Sequence, residues 1–275
     1  MTRQHHENVV PNIDIGVRFY ESDVTTSGYV PFHWHSSIEL VCVLQGQLRF
    51  NFDGETHVIG PQQFIVVPSG VVHDVTNTPN HAFVLQVPLQ FIEPYAAQPD
   101  RLNFRLNQVN AAAYQVVVRD FMTLNQLNTQ RPAGYLFDFG GVVLDILKTL
   151  VTSFTGSTVS TKRITSNLKD LIAYVNGHSD QPLSVHALAQ QFGYNPNYLS
   201  RLFKNQVGIT LVDYIYKIRL NALYHDLLTT DEAISTLMAK HGLRNPRTTR
   251  QLFKQIYNRL PHQVRQEREK TPNPE

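Results

Sequence analysis

At 275 residues, 42% apolar and 17% charged, the chain exceeds one typical domain and has the make-up of a globular protein with real cores, which excludes a disordered or fibrous chain. Its one cysteine, Cys42, excludes an intrachain disulfide and a thiolate metal cluster. The net charge of +2 hides an asymmetry, because residues 161–275 carry 16 Lys+Arg against 9 Asp+Glu, net +7, whereas residues 1–160 carry 8 against 13, net −5. A basic half suits a polyanionic partner, and an acidic half would be repelled by the same partner.

Met1 to Val10 is polar and lacks the apolar stretch of a signal peptide, and no uncharged run approaches bilayer-spanning length, so the expectation is a cytoplasmic protein with no membrane partner. The next stretch predicts short strands. In HWHSSIE, the residues His33, His35 and Glu39 are evenly spaced, so on one strand they would share a face, with Trp34 on the other. Cys42, within IELVCVL, reads as a small buried hydrophobe. Gln47 to Phe52 alternates, Asp53-Gly54 signals a hairpin, and Glu55 to Ile59 returns. Phe64 to Val67 and Ala82 to Val87 add strands, and PSGVVHDVTN between them supplies Pro68, Gly70, His73 and Asn77. Strands this short, with turns this dense, predict an antiparallel barrel or sandwich. His57 and His81 read as ordinary strand or loop residues.

Residues 102 to 155 change character. Val109 to Leu127 and Tyr135 to Phe154 read as helices, the second with an apolar stripe of Leu136, Val143, Leu147, Leu150 and Phe154. On pattern alone, such helices would cover the preceding sheet. Thr155 to Arg163, TGSTVSTKR, is small, polar and turn-prone and reads as a linker.

The last third contains one frame twice. Asn195 to Lys204 reads NPNYLSRLFK and Asn245 to Lys254 reads NPRTTRQLFK. Asn is a good N-cap and Pro at the first helical position needs no donor, so both stretches start helices. Upstream of the first, Ser184 caps a helix bearing Val185, Leu188, Ala189 and Phe192, which Gly193 ends; upstream of the second stand Ile234, Leu237, Met238 and Gly242. Helix, glycine turn, Asn-Pro-started helix is helix-turn-helix spacing. Thr210 starts a long helix through Leu228 that joins the two units, and Leu168, Leu171, Ile172 and Val175 begin their packing. Recognition helices entering successive major grooves must sit about 34 Å apart.

Residues 164 to 265 resemble the DNA-binding domain of the AraC/XylS family of bacterial transcription regulators, most closely over PLSVHALAQQFGYNPNYLSRLFKNQVGITLVDYIYKIRLNALYHDLLTT, including Gly208, Ile218, Arg219 and Leu220. The second half departs from the pattern: Thr248, Thr249, Arg250 and Gln251 replace an aromatic pair followed by Ser-Arg, and Asn258 stands at the usual glycine before Pro261. Thr249 lies on the buried side, so a less firmly packed second unit is expected. The resemblance implies base contacts from Asn197, Ser200 and Arg201 in the first unit and Arg247, Arg250 and Gln251 in the second, and backbone contacts from Lys204, Arg219 and Lys254. Arginine forks to guanine O6 and N7, which makes Arg201, Arg247 and Arg250 the stronger readers.

The HWHSSIE and PSGVVHDVTN stretches, with Gly46, resemble the two signature motifs of the cupin superfamily of small β-barrels, except that Gln62 stands where the motif has glycine. The AraC family often carries such a barrel as its effector domain. In cupins that bind metal, the residues matching His33, His35, Glu39 and His73 ligate a divalent ion, a donor set that suits Zn, Fe, Mn or Ni. In regulators the same four are commonly pocket walls that need no cofactor.

The reading is therefore a cupin-like effector-binding barrel over 1–100, a helical connector with possible dimerisation helices over 101–155, a linker over 156–163 and a helical DNA-binding domain with two helix-turn-helix motifs over 164–268. The expected function is a non-enzymatic regulator that binds double-stranded DNA and a small polar effector such as a sugar, as a homodimer, with RNA polymerase a further partner of an activator. The alternative is a metal-dependent cupin enzyme, catalysing oxidation or isomerisation, fused to DNA-binding helices.

Overall fold

A computed structural model describes residues 11–106, 110–155 and 166–270. Eight strands come first: β1 (Arg18–Val24), β2 (Gly28–His33), β3 (Ser37–Gln45), β4 (Leu48–Phe52), β5 (Glu55–Ile59), β6 (Gln63–Val67), β7 (His73–Asn77) and β8 (Asn80–Pro88). They form two four-stranded antiparallel sheets, in the orders β1-β8-β3-β6 and β2-β7-β4-β5. Asp53 and Gly54 both take positive φ, the conformation that a two-residue hairpin turn demands. Gln62 also takes positive φ, 60°, which is the physical reason a glycine suits that position.

Alternation along β3 separates two layers. Ile38, Leu40 and Cys42 join an outer core with Phe19, Phe64 and Leu85, whereas Val41 and Val43 pack with Leu48, Phe50 and Ile65 between the sheets. The outer core is closed by α2 (Ala111–Gln130) and α3 (Tyr135–Ser153), through Val117, Phe121, Phe139, Val143 and Leu150, after a short α1 (Leu89–Ile92). The two long helices thus cover the sheet. Cys42 is fully buried and its thiol is pushed up to about 12 by burial, so it acts as a hydrophobe. The predicted helix start Val109 and the predicted linker 156–163 lie outside the described residues.

The C-terminal part is helical: α4 (Ser166–Gly177), α5 (Val185–Gln191), α6 (Pro196–Val207), α7 (Leu211–Thr229), α8 (Ile234–Lys240), α9 (Pro246–Tyr257) and α10 (Pro261–Lys270). Asn195 Oδ1 accepts from the Asn197 and Tyr198 amides, Asn245 Oδ1 from those of Arg247 and Thr248, and Thr210 Oγ1 from that of Asp213, as the caps require. Each helix-turn-helix unit has its own core, and α7 belongs to both. Its Leu211, Tyr214, Ile215 and Ile218 serve the first, and its Leu220, Leu223 and Leu227 the second.

Strand β2 docks the barrel on this domain. A register shift between Val30 and His33, at Pro31, lets Tyr29 and Phe32 face the helices although they are three residues apart. Phe32 enters the first core, 5.5 Å from the Tyr214 ring, and Tyr29 enters the second. Asp74, fully buried, accepts from Tyr29 Oη at 2.9 Å and from Lys217 Nζ of α7 at 2.6 Å. Burial and the Asp74 carboxylate hold the Tyr29 phenol well above its usual range, so it stays a donor. None of the described helices is long and apolar enough to cross a membrane.

Candidate functional site

On α6 the buried face is Leu199, Phe203 and Val207, which leaves Asn197, Ser200, Arg201 and Lys204 exposed. On α9 it is Thr249, Phe253 and Tyr257, which leaves Arg247, Arg250, Gln251 and Lys254 exposed. Eight of the nine side chains expected at DNA are thus presented to solvent. Ser200 Oγ donates back to the Pro196 carbonyl at 2.9 Å, which leaves its lone pairs for a base or phosphate. Tyr198, half-exposed at the start of α6, extends the same surface.

Arg219 is the exception. Its guanidinium donates to the Ser179, Gln181 and Gly242 carbonyls at 2.9, 2.8 and 3.2 Å, so it is committed to protein acceptors and not aimed at a DNA backbone. The expectation of a phosphate contact is corrected on that geometry.

The HWHSSIE stretch is not one strand either: β2 ends at His33 and β3 begins at Ser37. The side chains nevertheless converge, because β2 pairs with β7 so that His33 stands opposite His73, while Glu39 comes across from the other sheet. The His33 and His73 rings lie 4.2 Å apart and the His35 and His73 rings 5.2 Å. Each Nδ1 faces a main-chain carbonyl two residues away: Pro31 for His33, Ser37 for His35 and Val71 for His73. Burial and the neighbouring His73 push His33 down to about 3, so it is neutral at physiological pH. Burial alone would raise Glu39; the imidazoles of His35 and His73, 3.4 and 3.6 Å away, outweigh it and hold the carboxyl well below its usual range. Gln86 Nε2 donates to the same carboxylate at 2.7 Å.

Between the sheets lies a cavity of about 500 Å³. His33 and Glu39 line it, whereas His35 and His73 are fully buried and do not. Its other polar groups are Tyr20, Ser22, Asn77, Asn80 and Asn221, and the remainder of the wall is apolar. Asn221 belongs to α7, so the DNA-binding domain itself supplies part of the wall, and its Oδ1 accepts from Tyr257 Oη of α9 at 3.4 Å. No local pattern in the sequence could have placed Asn221 there.

A barrel with a cavity between its sheets, docked on two capped helix-turn-helix units with exposed basic faces, defines a two-domain DNA-binding protein. Residues 14–113 match the family model of the AraC-like ligand-binding domain, and residues 188–267 match that of a helix-turn-helix domain. The regulatory protein SoxS of Escherichia coli is 34% identical over 98 residues, 36% of this chain and 92% of SoxS. The multiple antibiotic resistance protein MarA of Salmonella typhimurium is 24% identical over 98 residues, 36% of this chain and 77% of MarA. Among solved structures, an apo ToxT variant of Vibrio cholerae aligns over 90% of this chain and 96% of its own at 12% identity and a TM-score of 0.46. The chain belongs to the AraC family of DNA-binding transcription regulators.

Proposed function

We propose that this regulator reads two half-sites of one duplex with the outer faces of α6 and α9, and that a small effector in the barrel cavity changes how those faces are held. The observation that carries the reading is the exposure of Asn197, Ser200 and Arg201 on one helix and Arg247, Arg250 and Gln251 on the other, each above a separately packed core. Lys204 and Lys254 serve phosphates. On a selected duplex, Arg201→Ala relaxes base preference at one position by about 1 to 3 kcal/mol. Lys204→Ala weakens all sequences alike and lowers the salt slope by about one. Equal loss on every sequence from both variants would refute the assignment.

The cavity has the volume of a small-molecule site. Its polar groups interrupt a wall that is otherwise apolar, and a hydroxyl buried against valine without a partner costs free energy. The wall therefore favours an effector with an apolar body and a polar end over a sugar hydroxylated on every face. The effector acts only if its affinity differs between two arrangements of the domains, and Asn221 gives it a direct contact with α7. A thermal-shift screen tests this: a stabilising compound whose effect is lost in Asn221→Ala and kept in Arg201→Ala supports it, and one indifferent to Asn221→Ala and His33→Ala opposes it. A cytoplasmic homodimer joined through α3, where Phe137 is 88% exposed, completes the reading, with RNA polymerase as partner if transcription rises. Sedimentation of Phe137→Ser checks the dimer.

A second reading rests on the histidines. His33, His35 and His73 each offer a ring nitrogen within 4.8 Å of the others, and buried His73 Nε2 makes no hydrogen bond among the described residues. With each Nδ1 held by a carbonyl, Nε2 is the atom that each ring can offer to an ion, so the set fits a divalent ion, with Glu39 beside it. Such an ion would polarise an oxygen of the effector. Elemental analysis of purified chain and of His73→Ala tests it: a stoichiometric metal lost in the variant supports coordination, and a metal-free wild type that takes up none on addition of Zn opposes it.

A further inference from the structure

The two reading helices can recognise two half-sites only if their separation is held, and the two units pack as separate cores that share only the helix α7 and the docked strand β2. The first draws on Leu211, Tyr214, Ile215 and Ile218 of α7, and the second on Leu220, Leu223 and Leu227. Arg219 is the residue between those two sets. From that junction its guanidinium reaches both ways. Nε and Nη2 donate to the Ser179 and Gln181 carbonyls, in the turn that leads from α4 into the first unit. Nη1 donates to the Gly242 carbonyl, in the turn of the second.

The fit is close on the second side. Gly242 takes φ +66°, and a Cβ built there would lie 3.0 Å from Arg219 Cζ, so a side chain at this turn would be strained and would crowd the guanidinium. A planar fork with donors at fixed angles suits carbonyls that approach it from two different turns; a lysine ammonium is a compact point that does not span them. The whole of α7 is 19 residues, about 28 Å at 1.5 Å per residue, and helices of that length commonly curve.

We propose that Arg219 is a positioning residue that ties the two helix-turn-helix units across the middle of α7 and so sets the half-site spacing the protein accepts. This rests on the two-headed reading proposed above. The side chain touches no base in this account. It acts on specificity through the geometry of the helices that do, and removing it leaves each head able to read its own half-motif.

The test is selection from a random duplex library with the full-length chain and with Arg219→Gln and Arg219→Lys. Wild type returns two half-motifs at one spacing, near one DNA turn of about 10 base pairs. Both variants return the same half-motifs with the spacing spread over neighbouring values. Their affinity for the wild-type duplex falls about tenfold, since the preorganised separation is lost, while the slope of log K against log salt stays unchanged. Lysine separates the alternatives, because it keeps the charge a phosphate contact would need and loses the fork. A fixed spacing in both variants, or a salt slope lower by about one in Arg219→Gln and restored in Arg219→Lys, would overturn the proposal. So would equal loss of both half-motifs in both variants, which is loss of fold and not of spacing. A single half-motif from wild type would instead sink the two-headed reading, and this inference with it.

Discussion

The two helix-turn-helix units share a frame and fill it unequally. In the first, Ser184 Oγ caps α5, Leu199 is fully buried in α6, and Gly208 takes the left-handed conformation after it at φ +89°. In the second, Ala233 precedes α8 without a side-chain cap, Thr249 replaces Leu199, and Asn258 replaces Gly208 at φ +54°. Thr249 is fully buried and its hydroxyl makes no hydrogen bond among the described residues, so that core carries an uncompensated polar group. The second turn is also one residue longer, Arg244 having no counterpart between Gly193 and Asn195. Other contacts hold the second unit: Tyr257 stacks on Tyr224 at 4.2 Å, Arg265 of α10 donates to the Leu227 carbonyl at 3.2 Å, and Tyr29 of the barrel enters its core as Phe32 enters the first. The lesson is that one frame tolerates a polar residue in its core and a non-glycine residue in its turn when the packing around them is kept; the barrel touches both units, through Phe32 and Val72 in the first core and Tyr29 in the second.

Substitutions that exchange these features sharpen the contrast. The largest effect is expected from Phe32→Ala, which empties a fully buried site shared by the barrel and the first core; denaturant unfolding of the full chain should show a loss of about 3 to 5 kcal/mol. Next, Leu199→Thr gives the first unit the defect of the second and should cost about 2 to 4 kcal/mol, whereas the reciprocal Thr249→Val should gain about 1 kcal/mol by removing a buried hydroxyl at constant shape. Gain from the first or loss from the second would break the comparison. Asn258→Gly should stabilise by about 0.5 kcal/mol, because glycine takes positive φ without strain; Gly208→Asn should destabilise by more, since a Cβ there would meet the Gly54 backbone at 2.7 Å.

The smallest effect concerns pH. Burial alone would raise the Asp226 carboxyl, but Lys240 Nζ at 3.0 Å and His241 Nε2 at 2.8 Å outweigh it and lower it. A lowered folded-state pKa means that this contribution is present above the ordinary carboxylate range and is lost as pH falls through the folded value. The second unit should therefore loosen in acid, seen as faster amide exchange in α8, and Asp226→Asn should show that looseness already at neutral pH. An α8 equally protected in the variant would remove the effect.

Much of this was legible in the sequence, for local reasons. Asn-Pro frames and glycine turns act within a few residues, so both units and the defect at Thr249 could be read directly. The Asp53-Gly54 hairpin and the two covering helices were legible on the same grounds. His33, His35, Glu39 and His73 come together through three strands of two sheets and the connection between β2 and β3, not along one strand as their even spacing suggests. Pairings over long sequence separations were invisible. Asp74 with Lys217, Asn221 at the cavity and Arg219 between two turns all depend on how the domains pack. Arg219 shows the cost: an arginine in a basic domain reads as a phosphate contact until its acceptors are seen.

The most direct test of the central claim compares Arg201→Ala with Arg250→Ala on a duplex selected by the full-length chain, every position varied in turn. The account predicts that each variant relaxes base preference at a different half-motif, the two about one DNA turn apart, with the other half-motif still read. Relaxation at the same half-motif by both variants, or uniform weakening with no change of preference, would contradict it.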